Sequence, residues 1–193
     1  MQPEPEGFEQ NCRKAGKAWL ALHADSKRPH DYWTEFKPQL AAAFGDLCAY
    51  TTVFEPMGTI DHFISWDSSR AESPHLAYEW SNFRYASAWI NSSKRDAQVL
   101  DPFEVQDTWF EISLPDLQLH LTDHVPPEFR DLANFTFKRL PIAHDERIIR
   151  VRQQWYQEYL TGQISLAYLE KKAPLIARAV RKQQKYQNNS QIV

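Results

Sequence analysis

Apolar residues that recur every three to four positions predict helices near the N-terminus. One such stripe predicts an amphipathic helix over residues 8–25, and its members are Phe8, Cys12, Ala15, Trp19 and Leu22. The same spacing returns between Tyr32 and Phe44. Gly45 follows directly and is expected to end this second helix.

Two further helices are predicted near the C-terminus. The first covers residues 145–160 and begins at Asp145, a residue type that caps helix N-termini. The second covers residues 165–186 and begins at Ser165 for the same reason. Pro174 lies inside the second pattern and is expected to break it.

Between these helical regions the pattern changes to that of short strands. A short apolar run ends at Asp61-His62, and Asn82-Phe83-Arg84-Tyr85 alternates as a second strand would. Residues 88–97 can form a short helix after it. Residues 99–126 look extended, with Pro115-Asp116 at the turn of a hairpin. The sequence therefore predicts an α+β protein.

The polar residues of the central strand–strand–helix segment keep a distinctive order. Asp61-His62 ends the first strand, Asn82 follows 20 residues after the His, and Asn91 opens an Asn-x-x-Lys motif that ends at Lys94. This series resembles the signature of the HNH endonucleases, which are built on the ββα-metal fold. The resemblance implies a small ββα-metal HNH core wrapped by N- and C-terminal helices.

The resemblance also implies three regions along the chain. Residues 1–45 would be an N-terminal helical extension, and residues 46–98 would be the HNH nuclease core. Residues 99–193 would contain a strand hairpin and the C-terminal helices.

Each motif residue takes a role from the resemblance. Asp61 and Asn91 would bind one divalent metal ion, His62 would be the general base, and Asn82 would tie down the loop that orients His62. Cleavage of a phosphodiester requires a deprotonated water and a cation that neutralises charge on the phosphate, and a His with a pKa near neutrality suits the first task. Oxygen ligands favour Mg²⁺ or Mn²⁺, with Zn²⁺ or Ni²⁺ as alternatives.

Four basic residues are candidates for substrate binding. Arg84 and Lys94 belong to the motif segment, whereas Arg70 and His75 belong to a polar loop, residues 65–75, between the two strands. The expected substrate is nucleic acid, with DNA favoured over RNA.

Other interpretations of the motif remain open. Asp61 and His62 would then form a satisfied turn, and the two Asn side chains would cap local backbone. A further alternative is a catalytically silent HNH-like module that binds nucleic acid or an ATPase partner. A third is a subunit that needs the ATPase for its activity.

The thiols depart from the pattern of many HNH proteins, in which two Cys-x-x-Cys pairs bind a structural zinc. Of the four corresponding positions only Cys48 is a Cys, and the others are Thr51, Ser87 and Ile90. Because such a zinc needs four ligands, no structural zinc is expected. Cys48 and the remaining Cys12 are expected to be free thiols in a reducing cytoplasm.

The charge of the chain is unevenly distributed. The formal net charge is −3, but residues 130–185 contain 12 Lys and Arg against 5 Asp and Glu. Residues 1–129 contain 10 against 20. The basic C-terminal half is therefore expected to contact phosphates or an acidic partner, unless its charges belong to solvated helix faces.

Weaker similarities concern partners and location. Trp19-Leu20, Tyr32-Trp33 and the Arg152-x-x-Trp-Tyr motif resemble the HNH proteins of Septu and retron-associated anti-phage systems. That resemblance implies a partner ATPase similar to SMC and ABC head domains. No window approaches the ~18 apolar residues of a membrane span, and the N-terminus lacks a signal pattern, so a cytoplasmic protein without membrane contact is expected.

Overall fold

A computed structural model describes residues 3–190 of the chain. The chain divides into two compact units. The first unit comprises Met1–Ala49 and Glu55–Phe103, and the second comprises Tyr50–Phe54 and Glu104–Val193. Helices and small antiparallel sheets occur together, which confirms the α+β class. Within residues 3–190, no helix has both the length and the apolar character needed to cross a membrane.

The first unit contains four α-helices, two strands and several tighter helical turns. In chain order these are a π-helical segment Glu9–Lys14, α1 Ala15–Leu22, a 3-10 turn Thr34–Phe36, α2 Lys37–Ala43, β1 Thr59–His62, α3 Trp66–Ser69, 3-10 turns Pro74–Tyr78 and Trp80–Asn82, β2 Phe83–Ala86 and α4 Ala88–Lys94.

β1 and β2 form an antiparallel pair, and α4 follows directly. The register aligns Thr59 with Ala86 and His62 with Phe83. α4 ends at Arg95, whose φ of +54° cannot continue a right-handed helix. The predicted strand, strand and short helix are therefore confirmed as elements.

Aromatic side chains dominate the core of the first unit. Phe8 from the N-terminal helical segment contacts Phe36, Trp80 and Phe83, with ring centroids 5.0 to 5.8 Å apart and edge-on geometry. All four residues of β2 are buried, so this strand is covered on both faces. Gly16 of α1 permits close approach, because a Cβ there would lie 2.2 Å from Cγ of Tyr78.

The second unit contains a hairpin and four helices. These are β3 Phe110–Ile112, β4 Leu119–Leu121, α5 Pro127–Arg139, α6 Glu146–Leu160, α7 Leu166–Lys172 and α8 Pro174–Ser190. The hairpin turns through Pro115-Asp116 as predicted. Its turn includes Leu117, which has a positive φ of 57°.

The C-terminal helix predictions are confirmed at their caps. The Asp145 carboxylate accepts a hydrogen bond from the backbone N–H of Arg147, and the Ser165 hydroxyl accepts one from that of Tyr168. The predicted break is also confirmed, because α7 ends at Lys172 and α8 begins at Pro174, which cannot donate to the preceding turn.

Two features differ from the sequence-based expectations. Helix α5 has no counterpart among the predicted elements. Pro126 precedes it and Pro127 is its first residue, a position where Pro is compatible with a helix. The segment 65–75, expected to be a loop, contains the short helix α3. Ser65 begins that helix by accepting a hydrogen bond from the N–H of Ser68.

Candidate active site

His62 ends β1 and lies half-buried among aromatic rings. The ring centroids of Trp33 and Phe83 lie 4.5 and 5.0 Å from that of His62, both nearly perpendicular to it. Nε2 of His62 is 2.9 Å from the carbonyl oxygen of Ala77. Because a carbonyl oxygen only accepts, Nε2 must carry the hydrogen and donate it. This assigns the tautomer in which Nδ1 has the free lone pair.

Burial also affects the charge of His62. Desolvation lowers the pKa of its imidazole below the usual 6.5, although the hydrogen bond to Ala77 and the charge of Asp61 act in the opposite direction. The neutral ring is therefore the favoured form near pH 7. A neutral imidazole with Nδ1 unprotonated can accept a proton.

Asp61 is paired with Lys94 in the interior. Lys94 Nζ lies 3.0 Å from Asp61 Oδ1 and 3.0 Å from the backbone oxygen of His62. Asp61 is 2% exposed and Lys94 is 0% exposed, so the pair is shielded from solvent. The ammonium thus supplies a positive charge directly at the carboxylate that was predicted to bind a metal.

Asn82 closes the segment that connects β1 to β2. Its side-chain oxygen accepts from the N–H of Ile64 at 2.8 Å. Its amide nitrogen donates to the carbonyls of Ile64 and Leu76 at 3.0 and 2.9 Å. Leu76 precedes Ala77, so the bond to Leu76 holds the turn whose carbonyl orients His62.

Asn91 lies on α4 beside β1. Its amide nitrogen is 3.2 Å from Oγ1 of Thr59 and 3.3 Å from the carbonyl oxygen of Ile60. The amide oxygen therefore points away from these two acceptors. Asn91 and Lys94 are three residues apart, which places both on the side of α4 that faces β1.

Arg84 is buried, and all three nitrogens of its guanidinium group donate hydrogen bonds. The prediction that it contacts substrate is therefore not met in this arrangement, because such a contact requires an accessible side chain. Its Nε and Nη2 donate to the two carboxylate oxygens of Asp101 at 2.9 and 2.6 Å. Nη1 donates to the carbonyls of Ser81 and Phe83. The Phe103 ring centroid lies 4.0 Å from its guanidinium carbon. Contact with substrate would require the Asp101 pair to open.

The other two predicted substrate contacts are exposed. Arg70 follows α3, and His75 lies in the Pro74–Tyr78 turn. Both belong to the segment that Asn82 holds in place. Their side chains are accessible to a ligand, whereas those of Arg84 and Lys94 are not.

Several partners at this site were not anticipated from the sequence. They are the carbonyl of Ala77, the carboxylate of Asp101 and the indole of Trp33. Each of these three groups is separated in sequence from the site residue that it contacts by 15 to 29 positions. The sequence did carry an indication that Lys94 lies at this site, because the Asn-x-x-Lys spacing places Lys94 and Asn91 on one face of a helix.

The donor set fits a weakly held Mg²⁺ or Mn²⁺ under one condition. Within residues 3–190, no three His, Cys, Asp or Glu side chains cluster in a way that could hold a metal ion. Mg²⁺ needs few protein ligands, since it keeps several waters and uses phosphate oxygens as well. Asp61 and the amide oxygen of Asn91 could supply two oxygens, provided that Lys94 releases Asp61.

Both thiols are buried inside the protein. Cys12 and Cys48 are buried and free. The Cys48 sulfur accepts a hydrogen bond from the backbone N–H of Ser87 at 3.4 Å. Burial raises the pKa of Cys12 to about 12, so its thiolate is not populated near neutral pH.

One basic residue of the C-terminal half has a structural role. Arg152 is 1% exposed and donates to the carbonyls of Leu117, Ile142 and Ala143. Burial lowers its pKa to about 10. Arg152 therefore does not contribute to the phosphate or partner contacts expected of the basic C-terminal half, because its guanidinium donates to carbonyls inside the second unit.

Comparison with known proteins identifies no relative. No family model matches the sequence, and neither a curated protein nor a solved structure matches it.

Proposed function

We propose that the chain is a metal-dependent HNH-type endonuclease that cleaves phosphodiester bonds in nucleic acid, with DNA favoured. It would act in the bacterial cytoplasm as the effector nuclease of an anti-phage system with an ATPase partner. The observation that carries the nuclease proposal is the state of His62. Its Nε2–H is committed to Ala77, so Nδ1 is left as the proton acceptor.

The reaction requires His62 to deprotonate a water. Nδ1 accepts the proton as the water oxygen forms a bond to the phosphorus. The bond from the phosphorus to the leaving oxygen, on the opposite side, breaks at the same time. The leaving oxygen takes the electron pair and then a proton from solvent water. A lowered pKa keeps the imidazole neutral before the step, and the nearby Asp61 carboxylate favours the imidazolium that forms. A general base of this kind contributes typically 10² to 10⁴ in rate.

Asn82 is the positioning residue of this proposal. Its hydrogen bond to the Leu76 carbonyl holds the turn that supplies the Ala77 carbonyl, and its two bonds to Ile64 hold the start of the same segment. If the turn moved, His62 would lose the contact that defines its tautomer. Asn82 therefore acts on the reaction through His62.

Asp61 and Asn91 would hold the divalent ion. When bound, that ion would neutralise charge on the phosphate and on the leaving oxygen. Lys94 would have to release Asp61, and its ammonium would then be free to face the phosphate. The buried Lys94–Asp61 pair makes metal binding conditional on this exchange.

The test is nicking of supercoiled plasmid by the purified chain with Mn²⁺, with Mg²⁺ and with EDTA. The proposal expects nicking with either metal, none with EDTA, and nicking slowed by about 10² to 10⁴ in His62→Ala. His120→Ala is the matched control, because His120 is an exposed imidazole in the second unit and should keep full activity. Nicking by His62→Ala at the wild-type rate would refute the assignment of the base.

A specific observation favours a second candidate function, a silent module that binds nucleic acid or a partner without cutting it. The Asp61 carboxylate already has an internal cation, and the Arg84 guanidinium is closed by Asp101. Such a module would bind DNA with no turnover in any divalent metal. Binding that persists in EDTA together with a complete absence of nicking would support it.

A further inference from the structure

Arg84 lies on the face of the β1–β2 pair that carries Asp61. The register places these two residues directly opposite each other, and residues paired in this way project their side chains to the same face of a sheet. The Phe63 ring contacts both cations of this face, with its centroid 4.9 Å from Cζ of Arg84 and 5.5 Å from Nζ of Lys94. Arg84 thus stands beside the carboxylate that the nuclease proposal assigns to the metal ion.

One segment, residues 99–103, covers the Arg84 guanidinium, and we call it the 99–103 strap. Its Asp101 carboxylate is bonded to Nε and Nη2, and the ring centroid of its Phe103 lies 4.0 Å from the guanidinium carbon. Arg84 is 2% exposed, whereas Phe103 is 40% exposed and the Asp101 side chain is 17% exposed. The covering side chains therefore form the outer layer, and their movement would bring Arg84 to the surface.

The strap has a buried start and a more exposed end. It belongs to no helix or strand. Val99 and Leu100 are buried and anchor its start. At its end, Phe103 N–H donates to Asp101 Oδ1 at 3.0 Å, and the Phe103 ring stacks on that of Phe44. Irregular segments with exposed side chains open at a lower free-energy cost than core elements, so the end of the strap can open while its start stays in place.

The contact between the strap and Arg84 uses chemistry that a phosphate also offers. Arg84 holds the two oxygens of Asp101 with two N–H groups, and arginine binds phosphate in the same bidentate way. In the closed arrangement Arg84 and Lys94 are each paired with one carboxylate, so the charges of this face cancel. Release of Asp101 would leave two cations against the single carboxylate of Asp61. The open face would therefore attract a polyanion, and the closed face does not.

We propose that the 99–103 strap is an autoinhibitory segment in which Asp101 occupies the phosphate-binding site of Arg84. A phosphodiester group of nucleic acid would replace the Asp101 carboxylate on Nε and Nη2, and Asp101 would move into solvent. Because one bidentate partner replaces another, Arg84 is not left unpaired after the exchange. Its Nη1 bonds to the carbonyls of Ser81 and Phe83 would keep the guanidinium in place. The inference rests on the proposed function in one respect, that the ligand is nucleic acid.

Two aspartates provide a matched pair of variants. Asp101→Asn removes the carboxylate that holds the strap closed. Asp96→Asn removes the same charge from an exposed side chain just after α4. The probe is a short fluorescein-labelled DNA duplex, whose dissociation constant is measured by fluorescence polarisation on the full chain in EDTA.

Asp101→Asn should bind the duplex about tenfold more tightly than wild type, the typical effect of one added hydrogen bond to a charged group. The slope of its log affinity against log salt should steepen by about 0.9. Asp96→Asn should bind within twofold of wild type. Equal affinity of the two Asn variants would overturn the proposal.

A double variant tests whether the gain passes through Arg84. Arg84→Gln in the Asp101→Asn background should return the affinity to that of wild type. Because both partners of the buried pair are replaced together, no charged group is left without its partner. A gain in affinity that persists in this double variant would overturn the proposal.

Hydrogen exchange tests the opening in the unaltered chain. Phe103 N–H is bonded to Asp101 in the closed strap, so DNA binding in EDTA should speed the exchange of that amide. The amide of Leu40, a buried residue of α2, is the reference and should not change. Unchanged or slower exchange at Phe103 would show that the strap stays closed on binding, which overturns the proposal. The same holds if wild type and Asp101→Asn both fail to bind DNA.

These measurements do not depend on cleavage, so the strap and the nuclease proposal can fail separately. Tighter binding by Asp101→Asn without nicking in any divalent metal would support the strap and reject cleavage. Nicking by wild type together with equal affinities of the two Asn variants would reject the strap and leave cleavage standing.

Discussion

A single hydrogen bond, from Nε2 of His62 to the carbonyl of Ala77, determines which nitrogen of the imidazole can take a proton. A second contact, between Asp61 and Lys94, determines whether the neighbouring carboxylate can take a cation. The first contact is partly buried and the second is fully buried, and an unpaired polar group in such a place is costly. At the residue scale, the candidate chemistry is therefore controlled by the partner that each polar group has before substrate arrives.

The lowered pKa of His62 has a testable pH dependence. Burial favours the neutral ring, so the folded state holds fewer protons than the unfolded state between the folded pKa and 6.5. Stability should therefore rise with pH across that window, and this rise should be absent in His62→Gln. The acidic limb of the cleavage rate should lie below pH 6.5. An NMR titration of the ring that gives a pKa at or above 6.5 would contradict this.

Lys94→Gln tests whether the Lys94 ammonium competes with a metal ion for the Asp61 carboxylate. Removal of the ammonium breaks a buried ion pair from one side, which typically costs about 3–5 kcal/mol. Without metal the variant should therefore be less stable than wild type in urea. Its Mn²⁺ affinity should rise at least tenfold, about 1.4 kcal/mol.

Two variants control that experiment, with calorimetry and urea unfolding as the measurements. Lys138→Gln removes an exposed ammonium and should change neither property. Asp61→Ala should lose Mn²⁺ binding. Equal Mn²⁺ affinity in wild type and Lys94→Gln would mean that Lys94 does not compete for the site.

At the scale of the elements, local patterns predicted what depends on local chemistry. The N-terminal helices follow from the spacing of their apolar residues, and the starts of α6 and α7 follow from the caps Asp145 and Ser165. The β1–β2 pair follows from the strand pattern. The bond of His62 to Ala77 depends on how the 63–82 segment folds back, which Asn82 secures through three bonds. The burial of Arg84 against Asp101 likewise depends on tertiary structure, so the place of Arg84 in the motif could not predict that it is buried.

Gly16→Ala tests how α1 supports the segment that holds His62. Helix propensity alone predicts stabilisation, by about 1 kcal/mol. The new Cβ would lie 2.2 to 2.5 Å from ring carbons of Tyr78, however, and overpacking of a core typically costs about 1–3 kcal/mol. We expect the second effect to be larger, so the variant should unfold at lower urea concentration.

Ala18→Gly is the control for that comparison. Ala18 is an exposed position of the same helix, so its replacement reports propensity without a steric term. It should cost about 1 kcal/mol. A stabilised Gly16→Ala would show that Tyr78 can move aside, and the close approach would then not constrain the segment.

At the scale of the whole molecule, the basic C-terminal half shows more pairing than its composition suggests. Arg181 pairs with Glu170, Lys182 pairs with Glu111, and Arg178 contacts the Phe110 carbonyl. All three side chains keep part of their surface exposed. Phosphate binding by this half would therefore exchange internal partners for the phosphates of nucleic acid.

Replacement of Arg178, Arg181 and Lys182 by Ala tests that exchange. If the three side chains bind phosphates, the variant should bind unrelated DNA sequences equally weakly. The slope of log affinity against log salt should flatten by about one unit for each phosphate interaction that the replacement removes. Filter binding over a range of salt concentrations measures this. An unchanged slope would leave the three residues as a solvated face or a partner surface.

The most direct test of the nuclease proposal is the single-turnover cleavage rate of His62→Ala relative to wild type, with saturating Mn²⁺ and excess enzyme. The rate should fall by about 10² to 10⁴, because the general base is removed while the metal and DNA are still bound. His120→Ala should cleave at the wild-type rate. If His62→Ala cleaves as fast as wild type, or if wild type does not cleave in any divalent metal, the account of this site is contradicted.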